Sequence, residues 1–397
     1  MFESLCILGR QPELGLAELE SLYGDEAVKP VGVYGALLDK PVPEVAFAYL
    51  GGTVKFCKVL TEFNSTNWKQ IQKFLITAVP EHAKMLADGK LRLGLSVYGL
   101  KVESRQITGT ALELKKILKN NGRTVRVVPN VEPALNSAQV LHNKLTAELG
   151  WELIFVANGS KTIVAQTVAV QDIEAYTRRD RGRPKRDARV GMLPPKLAQI
   201  ILNLAAGTAL DPTCGPDKPI GKTVLDPFCG TGVILLEATL MGYDVYGTDL
   251  DPRMIEYSST NLKWLKPDIK DWSLATGDAT AFIWVESFDM MASEVYLGSP
   301  FTTTPTPDIL RKTISQVNTI TTKFLQNLAK QTNSGFRLCL ALPAWSINNQ
   351  FKHLPLIDQL TDIGYNRVSF VHANSSELIY HREGQIVGRE LVTLIRK

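Results

Sequence analysis

The sequence is poor in the residues that build metal and disulfide sites, with five cysteines and five histidines in 397 residues. Cys6, Cys57, Cys214, Cys229 and Cys339 are scattered and never spaced as C-x-x-C, which argues against a disulfide framework and a cysteine-rich zinc site. His82, His142, His353, His372 and His381 form no H-x-x-x-H or H-E-x-x-H pattern, so no metal is expected. No run approaches the ~18 consecutive apolar residues that a membrane helix needs. The first residues, Met1-Phe2-Glu3-Ser4-Leu5, carry an acid and no basic stretch, which argues against a secretory signal. No G-x-x-x-x-G-K-[ST] occurs, so a P-loop is excluded. A cytoplasmic protein away from membranes is therefore expected; a monomer is compatible with this, and nothing in the sequence sets the oligomeric state. What is present is ordinary globular usage, 45% apolar and 21% charged. At roughly 100–200 residues per domain the length predicts two to four domains.

Net charge is only +4, but it is unevenly spread. Residues 178–189, RRDRGRPKRDAR, hold Arg178, Arg179, Arg181, Arg183, Lys185, Arg186 and Arg189 against two acids, a net +5 that leaves the rest of the chain at −1. Gly182 and Pro184 argue against a regular helix or central strand here. Two compatible readings stand: a solvated interdomain linker, or a strap whose arginine forks contact phosphates.

Along the chain, residues 1–80 alternate short strands and helices, with helical spacing at Leu14–Tyr23, Pro43–Leu50 and Trp68–Ala78. Residues 81–172 continue in this style. They include an amphipathic Thr110–Leu118, a helix expected over Ser137–Leu149, and a hairpin turning at Asn158-Gly159-Ser160. Neither stretch holds paired carboxylates, a Ser/His/Asp set or a phosphate loop, which suggests a recognition half. From residue 193 strands and helices alternate regularly, predicting a parallel, doubly wound α/β sheet of Rossmann type with an antiparallel hairpin at its end. A helix is expected near Leu354–Asp362.

The most informative stretch runs from Thr223 through Asp226-Pro227-Phe228-Cys229-Gly230-Thr231-Gly232 into a helix. Glycines after a buried strand allow a tight turn and close approach of a ligand. Leu235 stands where a dinucleotide fingerprint has its third glycine, and Asp226 would repel a pyrophosphate. An acid here suits an ammonium-bearing ligand such as S-adenosylmethionine (SAM), whose amine Asp226 could pair. Asp249 closes the next strand and can accept both ribose hydroxyls; Asp278 follows the third and could take the adenine amine. Any one of these acids could instead be a helix N-cap. Cys229 lies in this turn and Cys214 in a Gly/Pro loop, so both read as structural rather than nucleophilic.

The Asp226–Gly232 motif resembles the SAM-binding turn of Rossmann-fold amino methyltransferases. The stretch Gly191-Met-Leu-Pro-Pro-Lys-Leu-Ala198 resembles the preceding motif of THUMP-domain tRNA guanine-N2 methyltransferases acting on guanosine 10. Leu8–Leu19, Asn136–Lys144, and Tyr380, Arg382, Gln385, Val387, Arg389 and Glu390 are similar to further segments of that family. The resemblance implies a ferredoxin-like module at 1–80, a THUMP RNA-binding domain at 81–172, a basic linker at 173–192 and a SAM-dependent methyltransferase domain at 193–397. It implies tRNA as partner, with THUMP gripping the acceptor end and the strap following the backbone. Phe228, Gly230, Gly232 and Leu193 would join Asp226, Asp249 and Asp278 around SAM.

The catalytic signature departs from the family's Asp-Pro-Pro-Tyr. Here Ser293-Glu294-Val295-Tyr296-Leu297-Gly298 supplies a carboxylate with one more methylene and a displaced ring, without the stiffening prolines. Guanine's exocyclic amine is delocalised and needs an acceptor for its N–H bonds and an aromatic face for the extruded base. Glu294 and Tyr296 are the candidate catalytic residues. The alternatives are a decayed site on a tRNA-binding protein, or an amino methyltransferase acting on DNA or protein.

Overall fold

Residues 2–187, 192–209, 221–266, 272–301, 303–348 and 350–397 are described by the structure, a computed structural model. They pack as two units interleaved in sequence: 1–12, 26–48 and 53–174 in one, and 13–25, 49–52 and 175–397 in the other.

Strand β1 (Ser4–Leu8) opens the first unit and leads into α1 (Pro12–Tyr23), most of which packs with the second. The first unit continues with β2 (Val28–Val31), β3 (Gly35–Leu38), β4 (Thr53–Phe63), α2 (Trp68–Ala83), β5 (Leu91–Tyr98), α3 (Ser104–Asn120), β6 (Val125–Val127), α4 (Ser137–His142), β7 (Gly150–Asn158) and β8 (Lys161–Val170). Among the described residues these strands form one eight-stranded sheet, ordered β2-β3-β1-β4-β8-β7-β5-β6. The strands expected in two modules thus share a single sheet.

Helices α2 and α3 start where the sequence caps them: Asn67 accepts from the Lys69 and Gln70 amides, and Glu103 with Gln106 forms a capping box. Their apolar stripes, Trp68, Ile71, Leu75 and Ile107, Ala111, Leu114, bury against Leu93, Leu95 and Phe155. The helix expected to Leu149 stops at His142, where Lys144 takes a positive φ of 53° and the chain turns into β7. The stretch expected as a helix at Pro43–Leu50 forms two 3-10 turns, Val42–Glu44 and Phe47–Tyr49. Pro41 and Pro43 shape the first of them by removing amide donors.

Lys55 lies buried across the centre of this sheet. Its ammonium donates to the Leu135 carbonyl at 2.6 Å and ion-pairs with Glu152. Ser96 Oγ donates to Glu152 Oε1 at 2.5 Å, and Thr167 Oγ1 to Oε2 at 2.6 Å. Four strands, β4, β5, β7 and β8, are tied through one carboxylate.

The second unit adds α5 (Ile173–Arg181), α6 (Pro195–Ala206), β9 (Thr223–Asp226), α7 (Val233–Leu240), β10 (Asp244–Asp249), α8 (Pro252–Leu265), β11 (Trp272–Thr276), β12 (Met290–Glu294), α9 (Pro307–Ala329), β13 (Arg337–Ile347), β14 (Gln350–Lys352), β15 (Tyr365–Arg367), β16 (Ile379–Tyr380) and β17 (Val387–Arg396). The sheet order is β11-β10-β9-β12-β13-β17-β15, with β14 paired to β13 and β16 to β17. Strands β9 to β13 are mutually parallel, and β17 runs antiparallel between β13 and β15. This is the doubly wound sheet that the strand–helix alternation predicts. Leu354–Asp362, expected as a helix, contains a 3-10 turn at Pro355–Gln359. No described helix is long and apolar enough to cross a membrane.

Helix α1 comes from the stretch expected as the N-terminal module, yet it is bound into the second unit by carboxylates. Glu18 accepts from the Gly51 and Gly52 amides at 2.9 and 2.8 Å and from Asn203 Nδ2 at 2.7 Å. Glu20 accepts from the Val371 and His372 amides at 2.5 and 2.8 Å.

The basic segment corrects the expectation drawn from its composition. Gly182 and Pro184 end a helix rather than prevent one, so Arg178, Arg179 and Arg181 lie in the last turn of α5, where cations suit the helix dipole. Arg179 Nε donates to buried Glu237 of α7 at 2.6 Å, and Gln199 Nε2 donates to the same carboxylate at 3.0 Å. Asn261 accepts from the Lys185 amide and donates to its carbonyl, both at 2.9 Å. Arg183 is 3% exposed. Arg178, Arg181 and Arg186 remain exposed, while Arg189 and Cys214 lie outside the described residues.

Candidate active site

Strand order reverses at β9, with β10 on one side and β12 on the other. An open α/β sheet leaves a crevice at such a point, at the carboxyl ends of its strands. A cavity of about 930 Å³ opens there. Its lining includes Leu193, Asp226, Phe228, Cys229, Gly230, Asp249, Asp278, Glu294 and Tyr296. These residues, spread over 103 positions from Leu193 to Tyr296, converge because each sits at or just beyond a strand end or enters from the α6 side.

Asp226 ends β9 and is 2% exposed. Its Oδ1 accepts from the Phe228 amide at 3.2 Å and from Ser293 Oγ at 2.6 Å; among the described residues Oδ2 has no hydrogen-bond partner. Burial pushes its carboxyl up to about 7, and the nearby charges of Asp249 and Glu294 push the same way. Asp249 ends β10 and accepts from the Gly230 amide through Oδ2 and the Asp251 amide through Oδ1, each at 2.9 Å. Burial raises it too, against those hydrogen bonds. Asp278 accepts from the Thr280 amide and hydroxyl at 2.9 and 2.8 Å, all through Oδ1.

Gly230 lines the cavity, but Gly232 does not. Gly232 has φ 83°, and a Cβ there would come 2.8 Å from Ser258 Oγ, so its glycine serves the turn into α7 and the close packing of α8. Phe228 packs edge-on against Phe324 of α9, ring centroids 5.0 Å apart. Cys229 is buried, and burial holds its thiol well above the ordinary range, so it offers no thiolate nucleophile.

Glu294 is the last residue of β12, and its side chain is ion-paired with Arg389 of β17. Burial raises its carboxyl, while Arg389 opposes that shift. Tyr296, 38% exposed, lines the same cavity.

The sequence reading missed one wall. Gln316, Thr319, Ile320 and Lys323 of α9 line the cavity at helical spacing. They flank the buried stripe Val317, Thr321 and Phe324, and nothing in the sequence marks Gln316, Thr319 and Lys323 off from an ordinary polar face. It also missed Ser293 and Arg389 as partners of Asp226 and Glu294. Their signal was present, since Ser293 directly precedes Glu294 and Arg389 belongs to the closing hairpin, but only the register of the sheet brings them together.

The chemistry of the set fits a cationic, nucleoside-bearing ligand. Five carboxyls line the cavity (Asp226, Asp249, Asp251, Asp278 and Glu294), beside apolar Phe228, Ile234 and Leu250. An ammonium would offset the burial, and the lesser repulsion from Asp249 and Glu294, that raise Asp226. Residues 220–377 match the methyltransferase domain family. Among curated proteins, the tRNA (guanine(10)-N2)-dimethyltransferase of Methanothermobacter thermautotrophicus is 29% identical over 203 residues, covering 50% of this chain and 53% of that protein. The protein of the same name from Pyrococcus abyssi is 39% identical over 88 residues, 22% of each chain. The matches thus span about half or less of the length of these relatives. Among solved structures, TrmN from Thermus thermophilus superposes with a TM-score of 0.51 at 16% identity, covering 99% of both chains. At that identity the likeness is one of fold.

Proposed function

We propose that the protein is a SAM-dependent methyltransferase acting on the exocyclic N2 of a guanosine in tRNA, at position 10 as the relatives' names specify. The observation that carries this reading is the cavity at the strand-order reversal, where Asp226, Asp249 and Asp278 stand at the ends of three parallel strands. When bound, SAM would supply an electrophilic methyl group on a sulfonium. Asp226, through its unpartnered Oδ2, would take the donor's ammonium, Asp249 the ribose and Asp278 the purine amine. Phe228, Leu193 and Gly230 would shape the surrounding wall.

On the acceptor side, Glu294 would accept an N–H of the guanine amine, concentrating electron density on nitrogen as it pyramidalises. Tyr296 would stack on the extruded base, a contact worth roughly 1–3 kcal/mol. Residues 1–80 and 81–172 are read as ferredoxin-like and THUMP-like contributions to tRNA binding, and 173–192 as the basic segment before the methyltransferase domain at 193–397. Within that segment Arg178, Arg181 and Arg186 would meet phosphates, while Arg179 and Arg183 serve packing. Such an enzyme would work in the cytoplasm.

Nucleoside mass spectrometry of tRNA incubated with protein and SAM tests the reading. The expected result is N2-methylated guanosine that appears only with both present. SAM binding and tRNA binding without transfer would contradict it and leave the decayed-site alternative; methyl transfer to DNA or protein instead would move the substrate class.

A further inference from the structure

Glu294 enters the cavity with one oxygen already engaged. Its Oε1 accepts from Arg389 Nε, and the two side chains are 14% and 10% exposed. Among the described residues Oε2 has no hydrogen-bond partner. Arg389 is itself fixed by the sheet: β17 pairs it with Pro343 of β13 and with Tyr380 of β16. Among the described residues, the cavity around Glu294 is also lined by Asp226 on β9, which it repels, by Asp249, Asp251 and Asp278 at or beyond the ends of β10 and β11, by Lys323 of α9 and by Tyr296 on its own loop.

We propose that Arg389 is a positioning residue, holding Glu294 by Oε1 so that Oε2 stands charged and aimed to accept an N–H of the acceptor amine. This rests on the reading of Glu294 given under Proposed function. Two physical needs support it. Glutamate has one more rotatable bond than aspartate, and the loop after it lacks the Pro-Pro that would stiffen it, so the carboxylate needs a tether. A carboxyl in so dry a place also reverts toward the neutral acid, which donates rather than accepts, unless a permanent cation accompanies it. Arg389 supplies the tether with a single contact that leaves the second oxygen open, and its charge opposes the burial that raises the Glu294 carboxyl.

The test measures Glu294 ionisation directly, by infrared difference titration of protein against its Glu294→Gln variant, in the native and Arg389→Gln backgrounds. The expected result is a protonation midpoint that moves to higher pH without Arg389. In the tRNA assay kcat should fall about 100-fold, with KM for SAM nearly unchanged and the acid limb of the pH–rate profile moved the same way. Arg389→Lys should keep the midpoint near native and restore part of kcat; it carries the test if Arg389→Gln does not fold, and a fully native kcat in it would overturn the need for the guanidinium's geometry. An unmoved midpoint in folded Arg389→Gln overturns the proposal. A moved midpoint in a protein that methylates no guanosine overturns the function instead, and leaves Arg389 as the partner that keeps Glu294 charged.

Discussion

Both units bury carboxylates, and Glu152 of the first and Asp226 of the second are treated in opposite ways. In the first unit Glu152 spends both oxygens inside the protein, on Lys55, Ser96 and Thr167. In the second, Asp226 and Glu294 each leave one oxygen without a partner among the described residues, and both line one cavity, whereas Glu18 and Glu20 of the same unit have both oxygens engaged. Burying a charge is costly, and a fold that satisfies it fully uses it as a tie. A fold that leaves it half satisfied keeps an acceptor in reserve for something that arrives later. The contrast separates structural from ligand-directed acids better than burial does, since Glu152 and Asp226 are both essentially inaccessible.

Mutations can break this comparison from either side. The largest effect is expected in the first unit. Glu152→Ala strands Lys55 as a buried charge and should cost about 3–5 kcal/mol of stability, read from chemical denaturation. In the second unit Glu294→Gln keeps an acceptor for Arg389, so it should cost little stability and leave SAM affinity nearly intact while lowering kcat by about 100- to 1,000-fold. If Glu152→Ala were neutral, or Glu294→Gln unfolded the protein, the division of roles would be wrong. Asp226→Asn removes one charge-assisted contact to an ammonium and should weaken SAM by roughly 1.5–3 kcal/mol.

A pH titration of stability sharpens the same contrast. Glu18, Asp226 and Glu237 all have carboxyls raised to about 7 by burial. For Glu237 burial outweighs its ion pair with Arg179. Between the unfolded carboxylate range and pH 7 the folded chain therefore holds more protons than the unfolded one. The stability these groups contribute is complete below that range and is lost as pH rises through about 7, so the melting temperature of the ligand-free protein should fall across that interval. The smallest expected effect concerns the basic segment. Neutralising Arg178, Arg181 and Arg186 should flatten the salt dependence of tRNA binding, whereas Arg179→Ala should act on stability through Glu237. An equal change in salt slope from both variants would erase the division between exposed and inward arginines.

The parallel sheet was legible because its strands alternate with amphipathic helices and its ligand turn carries Asp226, Gly230 and Gly232 in a short span. The converging acids were legible because each directly ends or follows a strand. What could not be read was set by packing between distant segments. Nothing in Leu14–Leu22 announces that Glu18 and Glu20 will serve the second unit, because their partners lie at 51–52, 203 and 371–372. The basic segment was misread for a related reason: composition located the charge, but not which arginines would turn inward onto Glu237. Arg389 was visible only as part of a resembling hairpin, and sheet register turned it toward Glu294.

Titration calorimetry with SAM at pH 6 and pH 8, comparing native protein with Asp226→Asn, tests the role of the half-satisfied acids most directly. Asp226 must be ionised to hold an ammonium, so the native affinity should fall with pH below about 7, toward tenfold per pH unit, while the variant should bind weakly with little dependence on pH. Equal affinity for native and variant at both pH values would contradict the account.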